Sequence, residues 1–333
     1  MTFRIGTFNC RDFFDDAVPH VIGQLDREGF GIWARRRART LFQRKLEAVA
    51  TVVARMDADV VAFQEIEGAH VLDALRDLLP QHGYLPAVAG VADARGIACG
   101  VLSRFPITAV ETHGAGELAF PSFAEGDPRP FTSRLSSRRG VLEVDLTLPD
   151  GSALAVMVLH LKSARPIPKL DEAGDPIAEE GHYAAAEGAA RSLVARMAEA
   201  LFVRSRIDAR LMRDSRAQLA VAGDFNDGPD SLVVRSIAGT VADPPRGRNT
   251  DLDAVTALES GVLHHCAKTI PQAARFTILH RGEAQQIDHV LVSRSLWRRF
   301  KTARALNEEL RDSGVEGRED VSSDHAALVA EFA

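Results

Sequence analysis

Cysteine is scarce and oddly counted: Cys10, Cys99 and Cys266 stand far apart, with no Cys-x-x-Cys pair among them. That argues against a disulfide framework and a structural zinc site, so the three are expected as small buried hydrophobes in a reducing compartment. Aromatics make up only 6% of the chain, with two Trp and two Tyr; Trp33, Trp297 and Tyr84 are expected to serve packing. No apolar run is long enough to cross a bilayer, and apolar alternation begins at Phe3 without a basic leader, so a cytoplasmic protein without membrane insertion is expected. Excess positive charge is missing too. A net charge of -6 excludes a generally basic surface built to coat nucleic acid, while leaving room for a local basic groove. Repeats and low-complexity linkers are absent, and no obligate protein partner is evident. A single domain over residues 1–333 is expected, long enough to bury a substantial core.

What remains is an ordinary globular composition, 46% hydrophobic and 26% charged, in which strand and helix patterns alternate. Strands are expected at Phe3–Phe8, Asp59–Gln64, Tyr84–Ala89, Ile97–Ser103, Ile107–Thr112, Val141–Leu148, Ala153–Leu161, Ala217–Gly223, Phe276–His280, Gln286–Ser293, Phe300–Leu306 and Ala326–Phe332. Helical spacing marks Trp33–Met56, a short stretch around Val71–Leu79, and Tyr183–Phe202, extending towards Met212. The first of these helices carries a run of Arg35, Arg36, Arg37, Arg39, Arg44 and Lys45, which is most simply a solvated face. Ala153–Leu159 is apolar at every position, which places it centrally in a sheet. Hairpins beside the strand–helix–strand units predict mixed rather than parallel sheets. Two loops have no readable motif: Arg11–Phe30 and the Phe- and Arg-containing excursion Gly114–Arg139, which is too long to be idle in a compact domain.

The informative pattern is at the strand ends. Ala217–Gly223 stops at Asp224, Phe225, Asn226 and Asp227, and Asp224 and Asn226, two positions apart, share a side of an extended backbone. Gly-Asp-x-Asn alone arises by chance in roughly one chain of this length in twenty, and Asp, Asn, Gly and Pro also simply make turns. The motif gains meaning from company. Other strands end at or carry Asn9, Glu65, His160 and Asp288, and the last is preceded by Asp324 and His325. Carboxylates and an amide without a thiolate form a hard oxygen set, suited to Mg²⁺ or Mn²⁺ rather than Zn²⁺. With histidines for proton transfer and charge stabilisation, these are the parts needed to hydrolyse a phosphodiester.

Gly6–Asn9, Val60–Glu65, Gly100–Ile107, His160–Ser163, Gly223–Asp227, Ile287–His289 and Ser323–His325 together resemble the endonuclease/exonuclease/phosphatase superfamily, in that family's order. The resemblance implies an α/β fold of the DNase I-like kind, a four-layer sandwich of two mixed β-sheets packed face to face and flanked by helices. It implies Glu65 as principal metal ligand, with Asn9 and Asp324 near the ion. Asp224 would orient or deprotonate the attacking water, Asn226 would fix that water or the phosphate, and His325, steadied by Asp288, would stabilise the developing phosphoryl charge. His160, where some branches carry tyrosine, is similar to the deoxyribonuclease and sphingomyelinase branches and would assist the leaving group. Lys162, Arg134, Arg138, Arg165 and Arg191 are candidate contacts to substrate phosphates, with plain surface charge as the alternative. His289 should point away from Asp288 and stays outside the set. The expected activity is a Mg²⁺- or Mn²⁺-dependent nuclease cleaving DNA or RNA by attack of an activated water. The alternative is the same site acting on a small phosphate ester or phospholipid head group.

Overall fold

The structure is a computed structural model that describes residues 1–15, 31–93, 95–114, 116, 118, 124, 140–178, 180–239, 261–314 and 321–333, without the side chains of 31–38. In chain order its strands are β1 (Phe3–Phe13), β2 (Val60–Ile66), β3 (Val88–Ala89), β4 (Ala98–Ser103), β5 (Ile107–His113), β6 (Val141–Thr147) and β7 (Ala153–His160). They continue as β8 (Gln218–Asp224), β9 (His264–His265), β10 (Ile278–His280), β11 (Glu283–Gln285), β12 (Asp288–Val292), β13 (Phe300–Leu306) and β14 (Ala327–Phe332). The α-helices are α1 (Gly31–Met56), α2 (Ala69–Leu78), α3 (His182–Arg213), α4 (Leu232–Ala238) and α5 (Arg294–Trp297).

Two six-stranded sheets form, ordered β13-β14-β1-β2-β4-β3 and β5-β6-β7-β8-β12-β9, with β10-β11 as a separate ribbon. Each sheet is mixed and contains one parallel pair: β1 with β2 in the first, β7 with β8 in the second. A parallel pair needs a long crossover, and α1 and α3 supply it. Side-chain alternation then sorts the strands into layers. Phe3, Ile5, Val60 and Ala62 of the first sheet pack against Val156, Val158, Ala220, Ala222 and Val290 of the second. The intervening residues Phe8, Val61 and Phe63 meet Leu46, Val49 and Val53 of α1, and Met157, Val221 and Leu291 meet Val203 and Ile207 of α3. The result is the expected four-layer α/β sandwich. Phe8, Phe63 and Phe225 are almost wholly buried, each worth about 1.5–3 kcal/mol of transfer free energy.

Several boundaries differ from the sequence reading. β1 runs past Asn9 to Phe13, because the backbone turns left-handed at Arg11 and Asp12 and then rejoins β2 at Phe13 opposite Ile66. Only Val88–Ala89 of the Tyr84–Ala89 stretch pairs as a strand; Tyr84 is buried by packing, with its hydroxyl donating to Ala58 O at 2.8 Å. The three cysteines are buried and none forms a disulfide, as expected. Lys45 is not on a solvated face: it is 8% exposed, and burial pushes its ammonium pKa down. No described helix is long and apolar enough to cross a membrane.

Candidate active site

Strand polarity brings the site together. In each parallel pair the C-terminal ends share one edge of the sheet, which puts Asn9 and Glu65 on one sheet and His160 and Asp224 on the other. Antiparallel β12 begins at that edge with Asp288 opposite Asp224, and His325 stands just ahead of antiparallel β14. Across the sandwich β1 faces β8 and β12, and β2 faces β7 and β8. The contacts follow. Asn9 Nδ2 donates to Asp224 Oδ2 at 3.0 Å and to Glu65 Oε1 at 3.3 Å. His160 Nε2 lies 3.5 Å from both Glu65 Oε1 and Asp224 Oδ2. Asn226 donates to both Asp224 oxygens, from its backbone N at 2.8 Å and its Nδ2 at 3.1 Å. His325 Nδ1 lies 2.8 Å from Asp288 Oδ2, and its Nε2 is 4.0 Å from Asp224 Oδ2.

Glu65 reaches the site against strand parity. Val61 and Phe63 face the helices, and a regular strand would send Glu65 the same way. The φ of 58° at Glu65, with a register break between Phe63 and Ile66, turns the carboxylate inward. This is the re-aiming that a bulge performs beside functional sites. Arg11, Asp12 and Asn226 also have positive φ, so four of the described non-glycine residues in that region of backbone space cluster here. At Gly223, φ is 149° and a Cβ would sit 2.0 Å from Leu159 O. Only glycine lets β7 approach closely enough to set His160 opposite Asp224.

The electrostatics separate two roles. Burial pushes the Asp224 carboxyl up to about 7, with the neighbouring Asp288 adding to the rise and cationic His325 opposing it. For His325 burial works against the charge, but the Asp288 carboxylate hydrogen-bonded to it prevails and raises the imidazole to about 10. Asp224 is thus poised to accept a proton near neutrality, and His325 is an imidazolium donating to Asp288.

The donor set suits a hard divalent cation. The contacts to Glu65 are long, 3.2 Å to Oε2 from Asp12 N and 3.3 and 3.5 Å to Oε1, and Asp288 Oδ1 is buried without a hydrogen-bond partner among the described residues. Asp224, Asp288 and His325 also bring ligand atoms within 4.8 Å of one another, but the proton on His325 gives that trio to charge stabilisation rather than to an ion. Asp324 Oδ1 lies 3.9 Å from Arg11 Nε, and its charge adds to the rise of the His325 pKa.

Among the phosphate-contact candidates, Lys162 is buried, its Nζ donating to Ser163 O and Oγ, Arg165 O and Ser192 Oγ. Arg191 donates to Ile167 O and pairs with Glu187. Arg134 and Arg138 lie outside the described residues, as does most of the Gly114–Arg139 excursion.

Four supporting residues carried no role in the sequence reading. Ser323 Oγ donates to Asn9 O at 2.6 Å and accepts from His325 N, tying the last loop to β1; its signal was a serine two residues before a histidine. Thr277 Oγ1 accepts from the N–H groups of Ile287 and Asp288. Buried Arg196 of α3 bonds Asp227 Oδ2 and Lys162 O, bridging the loops after β8 and β7; an arginine inside an Ala-rich helix was the clue. His289 points away from Asp288 as expected, yet its Nε2 donates to Asp227 O at 2.8 Å while its Nδ1 accepts from His265. Burial lowers His289 to about 4, which keeps it neutral in that role.

Comparison with known proteins gives the same architecture. No curated protein matches the sequence, but solved structures match across the chain. The human Nocturnin catalytic domain with a bound sulfate anion is similar at TM-score 0.57 and 14% identity, over 100% of this chain and 94% of that one. The mannosyl-6-phosphatase Bt3783 of Bacteroides thetaiotaomicron is similar at 0.56 and 17%, over 99% of both. An AP endonuclease from Archaeoglobus fulgidus is similar at 0.51 and 16%, also over 99% of both. The endonuclease/exonuclease/phosphatase family model spans residues 6–325, from the first strand to the histidine before the last. The chain belongs to the Endonuclease/Exonuclease/phosphatase family.

Proposed function

We propose that this protein is a divalent-cation-dependent phosphodiester hydrolase with nucleic acid as its first substrate class. The observation that carries the reading is the buried Asp224 carboxylate, surrounded by Asn9, Asn226, His160 and His325 on the edge where both sheets end. A pKa near neutrality is what a general base needs, so Asp224 accepts the proton of the attacking water. Asn226 and Asn9, both hydrogen-bonded to Asp224, hold that carboxylate in place. His325, fixed and kept cationic by Asp288, offers Nε2–H to the charge that develops on the phosphoryl oxygens. His160 stands on the opposite sheet and donates to the departing oxygen. Glu65, with Asn9 and Asp324 beside it, would hold Mg²⁺ or Mn²⁺, which when bound supplies Lewis-acid neutralisation of the non-bridging oxygens.

The nucleic-acid assignment draws support from the Arg-rich start of α1 and from the likeness to an AP endonuclease. A small phosphate ester is the second reading, favoured by the net charge of -6 and by the likeness to a mannosyl-6-phosphatase. Plasmid, oligonucleotides and bis-p-nitrophenyl phosphate assayed with Mg²⁺ or Mn²⁺ discriminate the two. Hydrolysis is expected to stop in EDTA and to fall about 10²–10⁴-fold in Asp224→Ala and His325→Ala. Full activity in either variant, or in EDTA, would refute the mechanism.

A further inference from the structure

A cavity of about 210 Å³ lies between the β3–β4 turn and the loop after β7, lined by Asp93, Arg95, Lys162, Ser163, Arg165 and Ile167. Both walls belong to the catalytic edge. The loop begins directly after His160, and Ala98 at the start of β4 pairs with Ile66 at the end of β2, so the turn projects beside Glu65. Three lining residues are cationic and one is acidic. The acid is already committed: Asp93 Oδ1 accepts the N–H groups of Arg95 and Ile97, and its Oδ2 takes the Arg95 guanidinium at 3.3 Å. Arg165 is exposed, and among the described residues nothing pairs with its guanidinium.

The loop wall is also fixed in advance. Lys162 Nζ holds Arg165 O, Arg191 Nε holds Ile167 O, and Ile167 N donates to Gly188 O. Gly188, inside α3, has Pro166 so near that a Cβ would come within 2.9 Å of it. A preorganised cationic recess loses little on binding an anion. Its size, below the roughly 300–1,000 Å³ of pockets for drug-sized ligands, suits one small anionic group.

We propose that this cavity is an anion subsite that takes a second phosphate of the substrate, one that is not hydrolysed, a proposal that rests on the phosphoesterase reading of the neighbouring centre. The second phosphate comes either from the adjoining linkage of a nucleic acid or from a small bisphosphorylated molecule. Two matched pairs separate the sources: a thymidine dinucleotide with and without a 5′-phosphate, and a hexose bisphosphate against the hexose monophosphate.

Equilibrium binding in EDTA reads the subsite without turnover. In one pair or the other the extra phosphate is expected to tighten binding about tenfold, and Arg165→Ser or Arg95→Ser should abolish that gain. Turnover of bis-p-nitrophenyl phosphate with Mn²⁺, which carries a single phosphate, should be unchanged in both variants. No gain in either pair, or a gain that survives in both variants, overturns the subsite. Lack of turnover of any phosphoester by the wild type would instead overturn the catalytic reading, while the binding pairs still decide the subsite.

Discussion

Asp224 and Asp288 are both buried carboxylates at one edge, and their partners give them opposite tasks. Asp224 sits among amide donors and titrates at about 7, while Asp288 holds a histidine whose proton persists to about 10. On the proposed mechanism the competent form has Asp224 ionised and His325 protonated. The kcat/KM profile should therefore rise with pH as Asp224 loses its proton and fall as His325 loses its own, with bound cation moving the acid limb lower. Asp288→Asn removes the charge that raises His325, so the alkaline limb should move down by a pH unit or more, towards the ordinary histidine range near 6.5. An unmoved limb in that variant would show that the dyad does not govern it. His325 obeys a simple sign for stability too: with a raised folded-state pKa, its contribution is complete below about 6.5 and is lost as pH rises through about 10.

At the residue scale the sequence revealed the polar side chains that end apolar runs, and Asn9, Glu65, His160, Asp224, Asn226, Asp288 and His325 converge through direct contacts. It did not reveal Ser323, Thr277 or Arg196. Their hydrogen bonds join positions remote in the chain and leave no periodic trace. Lys45 was misread for a related reason: a basic run along a helix does not say which member faces the sheet.

Elements place these residues by polarity and by two local departures from regularity. The bulge at Glu65 could not be foreseen, since periodicity assigns that side chain to the helix face. The glycine before Asp224 could have been, and its reason is steric. Gly223→Ala would force a Cβ against Leu159 O and a strained φ at once. A loss of about 3 kcal/mol or more is expected in urea unfolding, together with a fall in kcat as His160 and Asp224 separate. A variant with wild-type stability and rate would remove this account of the glycine.

At the scale of the whole molecule, the layers were legible because strand alternation and helix spacing each name the face they bury. What could not be read was how the second sheet binds its helix. Glu143 of β6, with a fully buried side chain, accepts from Arg206 and Arg210 of α3, and Arg210 also reaches Asp145. Burial opposes the charge on Glu143, but the two guanidiniums prevail and hold its pKa below the usual value, so its contribution is present above about pH 4.5 and fades as pH falls through the lowered folded-state value. Glu143→Gln removes the buried charge that both guanidiniums share, leaving Arg210 with Asp145 and Arg206 with Glu111, and should cost about 1.5–3 kcal/mol. The expected single domain predicts one coincident transition by far-UV circular dichroism and by tryptophan fluorescence, in the wild type and in this variant. Two separated transitions would divide the sandwich into independent units.

β14 lies between β13 and β1, although every other strand precedes it in the chain. During synthesis the first sheet therefore has a gap beside its opening strand until residues 325–332 emerge, and His325 arrives with the piece that fills it. On the proposed mechanism, a nascent chain stopped before this segment would hold most of the catalytic groups but not the imidazolium, so hydrolysis would switch on only once β14 has emerged and paired with β1.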